Sequence, residues 1–474
     1  MQSTAARIGM VVIALLIAAG AIGGGVFWLF NEHFHLDPPK ADYPKPKTPL
    51  EAQQQDLDYF RKAMELDRSF SPAAREEAER RVAALERLST ALPLPKLHVD
   101  LMQIMALTDN GHSEMRVLTD DHRGLVLPVR VTRFADGFYV MRATAPYADM
   151  LGGRIESIDG MPMAQMLQKL ETLRGGTEAF RRENVSAFIV VQDLLYGLGI
   201  AHDPHKSTWT VRSPSGQSVS HTLVAAQIAK DDPFPNGFRW TSPEPMKGMG
   251  PEWKAYSPAA GHLPLSLQQM DRVFVRETIP NSCAVYIRVQ DILDEGDQKI
   301  QPFFKRTEAA LRAHKPCAAI VDLRGDGGGD YTNTWHFSHV LPRLVAPGGH
   351  IYLLTDPETF SAAITMTAFI KEAGSKRIII VGEPVGDRLT FYSEGGTAVL
   401  PNSRFSLGYE TAKHDYAHAC TDWYNCFWLN WFYPVRVKTL QPDVPVPQLF
   451  SDWNAGHDAA YERAVELAAA DAKR

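Results

Sequence analysis

Two short stretches hold the residue types best suited to chemistry: DLRGDGGGD (Asp322 to Asp330) and TFSAA (Thr359 to Ala363). Four glycines in the first allow positive φ and a close approach of backbone to a ligand or a reacting atom. A Walker loop needs Gly-Lys-Ser/Thr, and none follows. The dinucleotide fingerprint needs a glycine where Asp330 stands. A calcium loop alternates carboxylates at every second residue, whereas Asp326 and Asp330 are four apart. Beside a plain strand-to-helix turn, this leaves a loop whose amides face a developing oxyanion. That option needs a nucleophile, and Ser361 is available at the predicted first turn of a helix. There the macrodipole favours negative charge, and the amide of Ala362 has no partner within the helix. The competing assignment for Ser361 is a serine bonded to its own helix turn.

A serine nucleophile needs a base. The chain has 16 histidines, so position has to decide. His112, in TDNGHS, follows the predicted end of a helix. His414 and His418 in KHDYAHAC have the four-residue spacing of metal ligands, but no Glu stands in the HExxH place and no third ligand is evident. The spacing also fits a structural loop beside a disulfide.

Several elements must position these groups. From about 270 onward, apolar runs alternate with helical ones: CAVYIRV, QPFFKRTEAALRAH, CAAIVDL, IYLLT, SAAITMTAFIKEA, RIIIV. That order predicts a mostly parallel sheet covered on both faces. The glycine loop and Ser361 then follow neighbouring strands, at the end where ligands bind in such sheets. Residues 51–114 read as helices, with Ser71-Pro72 as a helix start. Residues 115–225 read as short strands with Asp-Gly and Pro-Ser-Gly turns, interrupted by a helical insertion at about 164–198. Residues 226–265, rich in Pro and Gly, read as a connecting loop into a core domain spanning 226–474.

The N-terminus carries 23 uncharged residues, Ile8 to Phe30, with Arg7 before and Glu32 after. Length and flanking charge predict a membrane anchor with the bulk of the chain outside the cytoplasm. Ala19-Gly20-Ala21 also fits cleavage of a signal segment. The Pro/Lys-rich residues 31–50 read as an extended spacer lifting the folded part off the membrane. For an exported chain the expected pairing is a Cys420–Cys426 disulfide, with Cys283 and Cys317 as free core filler. A net charge of −6 without a long basic run argues against nucleic-acid binding.

The motifs DNGHS, GRIESIDGMP, AAIVDLRGDGGGD, YLLTDPETFSAA, IIIVGEPVGD and LQPDVPV occur in this order. Together they resemble the tail-specific (C-terminal-processing) serine peptidases, most closely a tricorn-like branch that uses histidine. The resemblance covers about residues 55 to 470. It implies an α/β, ClpP/crotonase-like catalytic core and a PDZ-like module ending with Gly152 to Met163. It also implies no cofactor or metal, and a polypeptide substrate. Carried over, it makes Ser361 the nucleophile, His112 the base, and Gly328 and Ala362 the oxyanion donors. The lysine of the Ser–Lys branch is replaced by Asp387-Arg388. The glutamate that precedes the final Pro-Asp in the histidine branch has no counterpart in VRVKTLQPD. Asp415, then Asp387, then Glu394 are the carboxylates expected to orient His112. If none does, the chain is expected to be an inactive or weak peptidase that serves as a peptide-binding envelope scaffold.

Overall fold

The structure is a computed structural model that describes residues 24–118, 124–228, 232–234 and 237–471. Most of the expected N-terminal span, including Ala19 to Ala21, lies outside these residues. Residues 24–34 are helical, and among the described residues no helix is long and apolar enough to cross a membrane.

The chain beyond that helix is no free spacer. Phe34 is fully buried, and the Phe34 and His35 carbonyls accept from Thr411 and from Tyr409 (2.7 Å). Tyr59 then donates to the Pro39 carbonyl at 2.7 Å. Proline-rich sequence predicts an extended backbone but not whether a surface receives it; here the body does.

Helices α1 (Pro49–Leu66), α2 (Pro72–Glu86) and α3 (Leu94–Met105) follow. Thr48 and Ser71 cap the first two, each accepting from a backbone amide three residues on. Their apolar faces, including Leu57, Phe60, Leu101 and Met105, share one core with a β-rich module. That module is an antiparallel sheet around β1 (Val129–Phe134), β2 (Gly137–Thr144), β3 (Arg154–Ile158), β4 (Lys206–Arg212) and β5 (Ser218–Val224). Helices Met163–Leu170, Glu178–Phe188 and Gln192–Gly197 fill the insertion between β3 and β4. The stretch expected to be a loop contributes two short strands, Ala226–Gln227, paired with Leu125–Val126, and Trp253–Ala255, on the edge of β2.

The core sheet runs β6 (Phe274–Thr278), β7 (Val285–Val289), β8 (Ala319–Asp322), β9 (Ile351–Thr355), β10 (Ile378–Gly382) and, last, Val444–Pro445. Only the β6–β7 pair is antiparallel. Alternate residues of each strand enter opposite layers. Ile287, Val321 and Leu353 pack under helices α4 (Ile300–Ala313), α5 (Trp335–Leu344) and α6 (Ala362–Gly374). Tyr286, Ile320 and Leu354 pack under α7 (Ala459–Asp471).

Cys420–Cys426 forms as expected. Cys283 and Cys317, expected to be free, are also bonded, with Cα atoms 5.4 Å apart. Each stands just before one of the paired parallel strands β7 and β8, so strand pairing brings the two thiols together across 34 residues of chain. Two disulfides suggest an extracytoplasmic protein.

Candidate active site

The two post-strand loops lie side by side and are tied together by their own polar groups. The Asp356 carboxylate accepts from the amides of Gly325 (3.1 Å) and Thr359 (2.9 Å). The Thr359 hydroxyl donates to the Leu323 carbonyl at 2.9 Å, and the Phe360 amide to the Asp326 carbonyl at 2.9 Å. On the far side of the loop, Arg324 is clamped between Asp322 and Asp458, which joins the loop to the start of α7.

Ser361 is the residue this framework sets apart. It occupies the N-cap of α6 with φ 53° and ψ −119°, a region non-glycine residues rarely enter. Its side chain makes no capping hydrogen bond, so the assignment as a self-bonded helix-turn serine fails. A strained turn between strand and helix that frees a hydroxyl is the geometry of a nucleophile elbow. The Ala362 amide beside it makes no hydrogen bond among the described residues.

Gly328 stands against Ser361: with φ 115°, a Cβ here would meet the Ser361 Cβ at 2.6 Å. Its amide, expected to be an oxyanion donor, instead donates to Asp326 Oδ1 at 2.9 Å. Asp326 is fully buried, and desolvation raises its carboxyl well above the ordinary range. The neighbouring Gly329 amide makes no hydrogen bond among the described residues, and Gly329 lines the same cavity as Ser361.

His112 lines that cavity too, a cleft of about 410 Å³ that also includes Glu114, Arg174 and Glu394. Every residue around His112 in DNGHS has a task. Asp109 accepts from Arg388 at 2.7 Å. The Asn110 amide group brackets the backbone of Tyr392, donating to its carbonyl and accepting from its N–H, both at 3.0 Å. The Gly111 amide faces Asp387 (3.3 Å), and a Cβ on Gly111 would meet Asp387 Oδ2 and the Phe360 ring, each at 2.9 Å. Ser113 donates to the buried Asp67 at 2.7 Å. Just after, Glu114–Met115 pairs with the strand Ser406–Tyr409, so the N-terminal region adds an edge to a hairpin of the core.

The His112 ring lies in a series of five stacked rings: Phe180, Phe360, His112, Phe391 and His414. Successive centroids are 4.4, 4.2, 5.1 and 5.0 Å apart. Burial lowers the His112 pKa, and the Asp387 carboxylate opposes that shift. Asp387 Oδ2 lies 3.8 Å from Nδ1, an electrostatic contact longer than a hydrogen bond. Neither ring nitrogen has a hydrogen-bond partner, so none reaches Ser361.

The structure therefore brings Ser361, His112 and Gly329 of the glycine loop around one cleft, with Ala362 following Ser361 in the chain, and sets Asp387 beside the imidazole. Asp415, ranked first from sequence, is elsewhere engaged: it pairs with His418 at 3.1 Å and accepts from the amides of Ala417 and His418. Glu394 lies at the cleft, 3.8 Å from His414 Nε2, with its carboxyl pushed up to about 7 by desolvation. His414 is buried against Tyr416 and Asn430, while His418 is exposed on Asp415, so the two do not converge as ligands. Among the described residues no cluster of three or more His, Cys, Asp or Glu could hold a metal ion.

No protein-family model matches the sequence, and no curated protein sequence matches it. In three dimensions the chain is similar to mature CPAF complexed with lactacystin, with a TM-score of 0.57 and 11% identity over 90% of this chain and 99% of that one. It is similar to a serine-to-alanine mutant of CPAF with a TM-score of 0.57 and 12% identity, over 89% of this chain and 98% of that one. A photosystem II D1 C-terminal processing protease aligns with 86% of this chain at 12% identity and a TM-score of 0.38, too loose a superposition to carry an argument. These likenesses lend no support to the tricorn-like branch suggested by the sequence motifs. At such identities, what is shared with CPAF is the fold.

Proposed function

We propose that this chain is a serine peptidase of the tail-specific type, exported and held to a membrane by its N-terminal segment. The observation that carries the proposal is the uncapped, positive-φ Ser361 at the head of α6, in one cleft with His112. Ser361 Oγ attacks a peptide carbonyl and its proton passes to His112. The tetrahedral oxyanion accepts from the Ala362 amide and from an amide of the glycine loop. Collapse expels the amine, which takes the proton from His112, and water hydrolyses the acyl-enzyme. Asp387, not Asp415, is the carboxylate that steadies the imidazolium. The β-rich module would act as a PDZ-like receiver of substrate ends, adding a peptide as a strand.

A second reading, a peptide-binding scaffold without turnover, is favoured by the unpartnered ring nitrogens of His112. A fluorophosphonate probe separates the two. The peptidase reading expects labelling of wild type that disappears in Ser361→Ala, together with a rate loss on the order of 10⁴–10⁶-fold on an unfolded protein substrate. No labelling and no turnover by wild type, with peptide binding intact in Ser361→Ala, supports the scaffold.

A further inference from the structure

Eleven large apolar side chains are exposed among the described residues, and eight of them fall in two segments: Val26 to Leu29, and Trp423, Tyr424, Trp431 and Phe432. The segments are remote in sequence but contiguous in space. Phe30 and Phe34 of the N-terminal helix pack on Trp428, with centroids 5.7 and 5.2 Å away. His33 stacks on the same ring at 4.8 Å, and its Nε2 lies 2.8 Å from the Tyr424 carbonyl. Trp423, Trp428 and Trp431 fan out with near-parallel rings, Trp428 4.8 Å from Trp423 and Trp431 5.7 Å from Trp423. The outer rings stay in solvent: Trp423 is 59% exposed and Phe432 76%.

The loop that carries these rings is stiff. The Cys420–Cys426 disulfide closes it, the Lys413 backbone bonds to Asn425 and Phe427, and Asn430 accepts from the buried Tyr331 hydroxyl. The backbone that carries the exposed rings is therefore anchored to the body. Exposing so much apolar surface is unfavourable in water.

We propose that Trp423, Trp431 and Phe432, together with residues 26–29, form a shelf that seats the folded body on a lipid bilayer. Three observations select lipid as the occupant. The uncharged run Ile8 to Phe30 ends inside the helix that packs on the shelf. The chain beyond that helix is fastened to the body through Phe34, His35 and Pro39 and leaves no slack between them. An apolar phase that receives the run thus begins within about a helical turn, roughly 5 Å, of Phe30. The headgroup layer is itself about 5–7 Å deep per leaflet, so the shelf rings sit at its level. Composition agrees: Trp and Tyr concentrate at that depth because they present an apolar ring with a polar edge.

The inference rests on the membrane-held part of the proposed function, not on its peptidase part, and is tested without turnover. The full chain is reconstituted in phosphatidylcholine vesicles with bromine placed high on the acyl chains, and quenching of tryptophan fluorescence is measured. Wild type is expected to be quenched. Trp423→Phe/Trp431→Phe should lose at least half of the quenched component, and Trp28→Phe the smaller remainder. An unchanged near-ultraviolet spectrum outside the lost bands checks the fold. Quenching that is undiminished by loss of both shelf tryptophans, or that vanishes in Trp28→Phe alone, overturns the proposal. So does cross-linking in the same vesicles that places a second copy of the chain, or residues 1–23, over Trp431.

Discussion

At the scale of single residues, the proposed peptidase divides its work among Ser361, His112 and Asp387. Burial holds His112 below its ordinary pKa, so the neutral, proton-accepting form persists below pH 6.5. Activity is expected to fall with acid only below that value, because protonation removes the base. The Asp387 carboxylate raises the His112 pKa. Asp387→Asn should therefore move the acid limb further down as well as lowering kcat by about 10²–10⁴-fold. A pH–rate profile of wild type and variant checks both; an acid limb that does not move in the variant removes Asp387 from the mechanism. Asp415→Asn should leave the limb where it is.

That Ser361 and His112 would share one cleft was legible in the sequence because each sits in a stretch whose neighbours are specified: a glycine loop, a helix start, a DNGHS turn. Which carboxylate would lie beside the imidazole was not. Asp387 reaches His112 through Gly111, a close approach that only the fold creates, whereas Asp415 stood out because it lies in an unusual insertion. The amide of Gly328 illustrates the same limit. Its place beside Ser361 follows from adjacent parallel strands, but its capture by the Asp326 side chain depends on one local turn.

At the scale of elements, the turn before the strand at Glu114 positions His112, the proposed base. Gly111→Ala would force a methyl group to within 2.9 Å of both Asp387 and Phe360. Overpacking of this kind costs about 1–3 kcal/mol, and the strain falls on the His112 turn. The expected result is a large fall in kcat with a smaller change in melting temperature, measured by kinetics and thermal unfolding on the same sample. The disulfides make a second comparison. Under the chain-entropy model, closing 34 residues between Cys283 and Cys317 is worth about 3–4 kcal/mol, against about 2 for the short Cys420–Cys426 loop. Replacing the first pair with alanine should therefore lower the denaturation midpoint more than replacing the second. Periodicity made the alternating strands and helices of the core readable. The pairing of Cys283 with Cys317 depends on which strands are neighbours, a property that local pattern does not carry.

At the scale of the whole molecule, the five stacked rings around His112 come from separate parts of the chain. Phe180 belongs to the helical insertion of the β-rich module, His112 to the turn after α3, Phe360 to the loop before α6, and Phe391 and His414 to the strands Thr390–Ser393 and Ala412–Asp415. Phe360 is also the residue before Ser361. In the proposed peptidase the aromatic column would act as a coupling rod. Its middle link is the imidazole, and its Phe180 end is buried beside a cleft that the glycine loop also lines. A ligand that tilts Phe180 would pass that displacement through Phe360 to nucleophile and base at once. Docking and readiness to react would then be a single mechanical event, and a core severed from its module would keep its serine while losing the alignment that makes the serine useful.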